Sequence, residues 1–342
     1  MNISIKNYMG LISKYRGPIM GICIAEVLFG HGGIMLPGPM NFFLKLIWVI
    51  DIFFFFTGLG VYHSMKKDGE IIPFYVRRFE RIYPYYLPVV ILYYLGQIIC
   101  FNADMNAFQS VKEILGNLLM VGWINNLDRQ FNWYPQAVFF AYLVAPILFI
   151  AVKSFNGSPK KLLLLLGFFI VTQPCFFGTN TLVGYSRAIA FVLGIIAADM
   201  ADRDVNFKLN IPLMMVMAVV GLGICYWVQG LPVEISWPYG LSWYPGLLVI
   251  PGLMILCCWF FGLVEKVRWL GWVKKLFTIL GNCSFEIFIM QRLLYGFIDD
   301  FQLHVNGNLQ WVIAAALIGL IAIGYSKLVK AVMKSIKKKA AA

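Results

Sequence analysis

The sequence predicts an all-α polytopic membrane protein of about ten transmembrane helices, and three observations predict it. First, 61% of the 342 residues are hydrophobic and only 13% charged, with a mean hydropathy of +0.77. That balance excludes an ordinary soluble globule. Second, the apolar residues fall in runs near the ~20 that a helix needs to cross a bilayer. Third, Lys and Arg collect in alternate loops, as the positive-inside rule requires. The net charge of +12 therefore implies membrane lipids as partners and no nucleic acid, because the basic residues lie between apolar runs and not along one polar stripe.

In chain order, spans are expected at 16–33, 42–63, 82–101, 135–153, 161–178, 185–200, 209–228, 243–264, 280–298 and 309–329, within a single integral-membrane domain over 1–342. The connecting segments 1–15, 64–81, 154–160, 201–208, 265–279 and 330–342 hold most of the basic residues. The alternate loops are nearly free of them, Lys112 and Arg129 excepted. Both termini are thus expected in the cytosol, as tails of a plasma (inner) membrane protein. The basic end KSIKKKAAA suits anionic headgroups. Between the third and fourth spans, Ser110 to Trp123 reads as a short amphipathic or re-entrant helix. No cleavable signal pattern precedes the first span. The seven cysteines lie in or beside apolar runs without paired metal spacing, so neither a disulfide framework nor a metal site is expected.

Polar residues inside these runs are the candidates for chemistry. The first span, RGPIMGICIAEVLFGHGG, begins with Arg16 and ends at His31 beside two glycines. A histidine suits general-base work near neutrality; alone, such a histidine is more often an interfacial residue than a catalyst. Of the others, His63 adjoins a cytosolic loop and His304 lies in an outer one. Glu26 is on the first span but well round the helix from His31, and needs a partner such as Lys45 or Arg187. Asp51 sits in an apolar run, where a carboxylate is costly unless paired. Arg77, Arg78 and Arg81 fall three and four apart and share a helix face, either as anchors of the third span or as phosphate ligands. Arg187, an intramembrane arginine, is either functional or half of an ion pair with Asp51 or Glu26.

Several of these stretches together resemble acyltransferase family 3, membrane enzymes that acylate sugar hydroxyls. IDIFFFFTG (Ile50–Gly58) is similar to the family's Val-Asp-Leu-Phe-Phe-x-x-Ser-Gly. Arg77, Arg78, Arg81, Ile82 and Pro84 follow its Arg-Arg-x-x-Arg-Ile-x-Pro. Trp133, Tyr142 and Pro146 keep the spacing of a third element, and Arg187, Phe191 and Gly194 that of a fourth. LGNCSFEIFIMQR resembles a final one through Ser284 and Glu286.

The resemblance implies an O-acyltransferase that moves an acyl group, most often acetyl, from cytosolic acyl-CoA to a hydroxyl of a cell-surface or lipid-linked glycan, with no metal. It implies His31 as catalytic base with Arg16, Asp51 and Arg187 as supporting groups. Arg77, Arg78 and Arg81 would hold the phosphates of coenzyme A, and Trp133, Tyr142, Ser284 and Glu286 would line the substrate path. Three positions depart from the family pattern: Met20 stands for an arginine eleven residues before His31, Val138 for a glutamate and Gln291 for a histidine. Arg16, roughly 60° round the helix from His31, is the remaining arginine of that span. The departures leave an inactive member of the family as one alternative. A secondary transporter is another, although no inverted repeat is visible.

Overall fold

The computed structural model describes residues 1–37, 40–42, 49–101, 107–125, 131–300 and 307–340. Lys45, Arg129 and His304, all weighed from the sequence, lie outside them. The described chain is helical apart from one two-stranded ribbon. Strand β1 (Asn2–Ser4) pairs antiparallel with β2 (Lys208–Asn210). Helix α1 (Ile5–Lys14) follows directly, capped by Ser4 Oγ accepting from the Asn7 amide at 3.2 Å. It buries Ile5, Tyr8, Met9 and Ile12. Residues 1–15, expected as a tail, are therefore built into the fold.

The helices run on as α2 (Arg16–Gly30), α3 (Val49–Asp68), α4 (Ile71–Phe101), α5 (Ala107–Leu118) and α6 (Trp133–Ser154). After them come α7 (Pro159–Val171), the short α8 (Leu182–Tyr185), α9 (Ala188–Asp202), α10 (Ile211–Gln229) and α11 (Val233–Ser236). The chain continues through α12 (Gly246–Lys266), α13 (Gly271–Asn282), α14 (Ser284–Asp300) and α15 (Asn308–Ala340). Among the described residues, six segments are long and apolar enough to cross a membrane: Trp133–Ser154, Pro159–Phe176, Leu182–Asp202, Ile211–Gln229, Gly246–Lys266 and Asn308–Lys339. Ten were expected from the sequence. The other four expected spans fall on α2, α3, α4 and α14. Of these, α2 has only 15 residues and α14 only 17, while α3 carries Asp51 and α4 the arginine cluster.

Three segments read as connections are helical. Only Gly69 and Glu70 separate α3 from α4, so Arg77, Arg78 and Arg81 lie within a helix and not ahead of one. The basic segment 330–340 continues α15. The segment 265–279 contains most of α13, which lies directly on α2. A Cβ on Gly21 would sit 1.9 Å from the Phe277 carbonyl oxygen, and one on Gly281 would sit 1.9 Å from that of Gly17. Small residues are what let two helix backbones approach so closely. The same device joins α3 to α9, where a Cβ on Gly58 would meet the Phe191 oxygen at 2.0 Å and one on Gly194 the Phe55 oxygen at 2.1 Å. The phenylalanine run of α3 is buried between these layers.

Candidate active site

Helix α2 sets the geometry. Arg16 is its first residue and His31 its C-cap; fifteen residues at 1.5 Å each place them about 22 Å apart along the axis. Each end opens into a different cavity. The one at Arg16 has a volume of about 460 Å³ and the one at His31 about 330 Å³.

The larger cavity is basic. Arg16, Arg78 and Arg81 line it, and Lys330 of α15 joins them. Arg78 is held firmly: it is 8% exposed, donates from Nη2 to the Gly60 carbonyl at 3.0 Å, and its guanidinium lies 5.1 Å from the ring centres of both Phe74 and Tyr142. Its Nε, buried, has no hydrogen-bond partner among the described residues. Arg16 lies over Phe56, 5.5 Å from the ring centre. Arg77 is exposed and is not part of the cavity wall. Glu286 is the acid of this wall; Ser326 Oγ donates to its Oε1 at 2.7 Å, leaving it oriented away from free rotation. Ser284, Tyr142, Met20 and Val138 complete the parts of the wall that the sequence singled out. Four cations against one carboxylate suit a polyanion, and arginine forks match phosphate oxygens in particular. The motifs gave no hint of Lys330, which sits in a basic run read as a lipid anchor.

The smaller cavity is lined by His31, Asn132, Trp133, Gln291, Arg292 and several aromatic rings, with no carboxylate among these wall residues. His31 is exposed on its wall, and its Nδ1 lies 3.0 Å from the Gln291 side-chain nitrogen. Tyr295 donates to the Leu28 carbonyl at 2.8 Å, and Arg292 Nε donates to that of Phe131 at 3.2 Å. Asn132 caps α6 by accepting from the Tyr134 amide at 3.1 Å. That cap sets Trp133 towards the small cavity and Tyr134 towards the large one.

Two rings stand between the cavities. Tyr134 of the large cavity and Phe288 of the small one lie 4.4 Å apart, centre to centre. Phe288 also meets His31 nearly at right angles, with ring centres 6.4 Å apart. Helices α6 and α14 thus each contribute to both walls, as α2 does.

The other two expected supporting groups lie elsewhere. Asp51 Oδ2 accepts from Arg187 Nη1 at 2.8 Å, each residue being 1% exposed, and Arg187 lies 5.4 Å from the Trp243 ring centre. Neither residue lines either cavity. The pair joins the first turn of α3 to the N-cap of α9. Of the sequence's two possibilities for Arg187, the ion pair is the one that the side chains form. His63 is exposed near the end of α3, edge-on to Tyr62.

A family model described as an acyltransferase domain, that of acyltransferase 3, matches residues 21–327. The match runs from within α2 to within α15; it takes in the small cavity and most of the large one, whose Arg16, Gly17, Met20 and Lys330 lie outside it. No curated protein and no solved structure gives a significant match.

Proposed function

Because the chain belongs to the acyltransferase 3 family and is a membrane acyltransferase, we propose that it moves an acetyl group from acyl-CoA to a glycan hydroxyl through a passage between the two cavities. The observation that carries this reading is the sharing of α2. A basic cavity opens at Arg16 and a histidine-bearing one at His31, and Tyr134 of the first packs against Phe288 of the second.

In this reading α2, α3, α4 and α14 cross the membrane with the six longer segments, making ten spans. The basic connections then face the cytosol, with both termini and the mouth of the large cavity on the cytosolic side of the plasma membrane. The phosphates of coenzyme A bind Arg78 and Arg81, assisted by Arg16 and Lys330, with Arg77 at the approach. The thin pantetheine arm passes Tyr142, Ser284 and Glu286 and then the Tyr134–Phe288 pair. The acceptor, a surface or lipid-linked glycan, stacks on Trp133 in the small cavity. His31 takes the proton of the acceptor hydroxyl as its oxygen attacks the thioester carbonyl. The carbon–sulfur bond then breaks, and the coenzyme A thiolate leaves with that proton. The products are an ester and free coenzyme A.

His31→Ala tests the base. General-base catalysis contributes about 10²- to 10⁴-fold, so acyl esters on surface glycans should disappear while protein abundance and acyl-CoA affinity stay normal. Unchanged ester content at normal abundance would contradict the reading.

A further inference from the structure

We propose that Gln291 is a positioning residue that fixes the tautomer of His31: its Oε1 accepts from Nδ1–H and leaves Nε2 as the basic nitrogen. The inference rests on His31 being the base.

Gln291 is 2% exposed on α14, one turn beyond Phe288, and its amide is within hydrogen-bond distance of the imidazole. Among the described residues no carboxylate lines this cavity, and beside the ring, where many catalytic histidines have an acid, stands a neutral amide. One end of that amide nitrogen–oxygen pair faces Nδ1 at 3.0 Å, while the other, Oε1, is buried without a partner among the described residues.

The chemistry decides which end must face the ring. With the amide nitrogen on Nδ1, its N–H donates to the Nδ1 lone pair, and the ring proton then sits on Nε2. Such a ring has no free lone pair and accepts no proton. Once protonated, both ring nitrogens are donors, and an N–H would face an N–H. A half-turn about the terminal torsion of Gln291 exchanges oxygen and nitrogen in nearly the same volume. The oxygen then accepts from Nδ1–H before, during and after proton transfer, and Nε2 is free for the acceptor hydroxyl. Arg292 also lines this cavity, and among the described wall residues no acid offsets a charged imidazole. The single bond to Oε1 is thus the contact that orients the ring.

The tautomer is read directly by ¹⁵N NMR of histidine-labelled full-length protein in lipid nanodiscs. The chain has three histidines, and subtraction of the His31→Ala spectrum identifies the signal. The expected result is a protonated Nδ1 and a bare Nε2 in the wild type. A protonated Nε2 would overturn the proposal, whether or not any variant folds. Kinetics give a second arm. Gln291→Leu should lower kcat about 10- to 100-fold, the worth of one hydrogen bond to a group that becomes charged, with KM for acyl-CoA unchanged. Gln291→Glu, which presents only oxygens, should recover most of that loss; equal losses in both variants would overturn the role. Full activity in His31→Ala would instead sink the base reading itself, leaving the NMR result standing as a fact about the ring.

Discussion

Arg78 is fixed on three sides before any ligand arrives, by the Gly60 carbonyl and by the rings of Phe74 and Tyr142. Ordering of this side chain is therefore complete in the free protein, which favours tight binding of a charged group. Arg78→Lys keeps the charge but loses the planar fork and the ring stacking. We expect it to raise KM for acyl-CoA about tenfold, and Arg81→Ala to act in the same direction, each leaving KM for the acceptor unchanged. Steady-state kinetics with both substrates varied would check this; a change confined to the acceptor would contradict the phosphate role. At this scale much of the site was legible. Polar residues in or beside apolar runs are few, and the family resemblance singled out His31, Arg78 and Arg81 among them, with Arg16 as the remaining arginine of the first span. The Gln291–His31 contact was not legible, since the two residues are 260 positions apart. Nor was Lys330, hidden in a run of lysines whose other members look identical in one dimension. The three departures from the family pattern, Met20, Val138 and Gln291, all fall on cavity walls. They change the polarity of the cavity walls.

Among the elements, α13, like α1, is one that hydropathy misplaced. Its lysines and its neighbours Lys266 and Arg268 make 265–279 look like a connection, although Phe277 and Gly281 form an apolar edge that seats on α2. Amphipathic helices at a surface present this difficulty because their average polarity is that of a loop. Gly281→Val and Gly21→Val would drive methyl groups into the opposing backbone, which cannot move aside as a side chain can. A loss of about 1–3 kcal/mol or more follows, visible as a lower thermal midpoint or lost abundance of the purified protein. Gly10→Ala, with open space around it, is the control. The Asp51–Arg187 pair makes a second prediction between elements. Removing one partner, as in Asp51→Asn or Arg187→Gln, leaves buried charge unpaired and should cost about 3–5 kcal/mol. Replacing both with apolar residues of like size should recover most of that stability. If the double variant is stable and still transfers acyl groups, the pair is architectural. If it is stable and inactive, the pair belongs to the chemistry.

For the whole molecule, alternation of apolar runs and basic loops is enough to expect a helical membrane protein, because lipid forces every backbone group to bond within its own helix. What one dimension does not contain is the division of the site. On the sequence, Arg16 and His31 share one span, the first read as a supporting group for the second. The structure puts them in separate cavities, with Tyr134 and Phe288 between. Under the proposed function, a passage between the cavities would make the reaction sided, with donor entering at one face and acceptor at the other. The most direct measurement uses proteoliposomes sorted for one orientation, with membrane-impermeant acetyl-CoA and a soluble glycan acceptor placed on chosen sides. The account predicts ester only when acetyl-CoA is on the side of the N-terminus and the acceptor is opposite, with none from the His31→Ala protein. Ester formed with both substrates on the same side, or at the wild-type rate without His31, would contradict it.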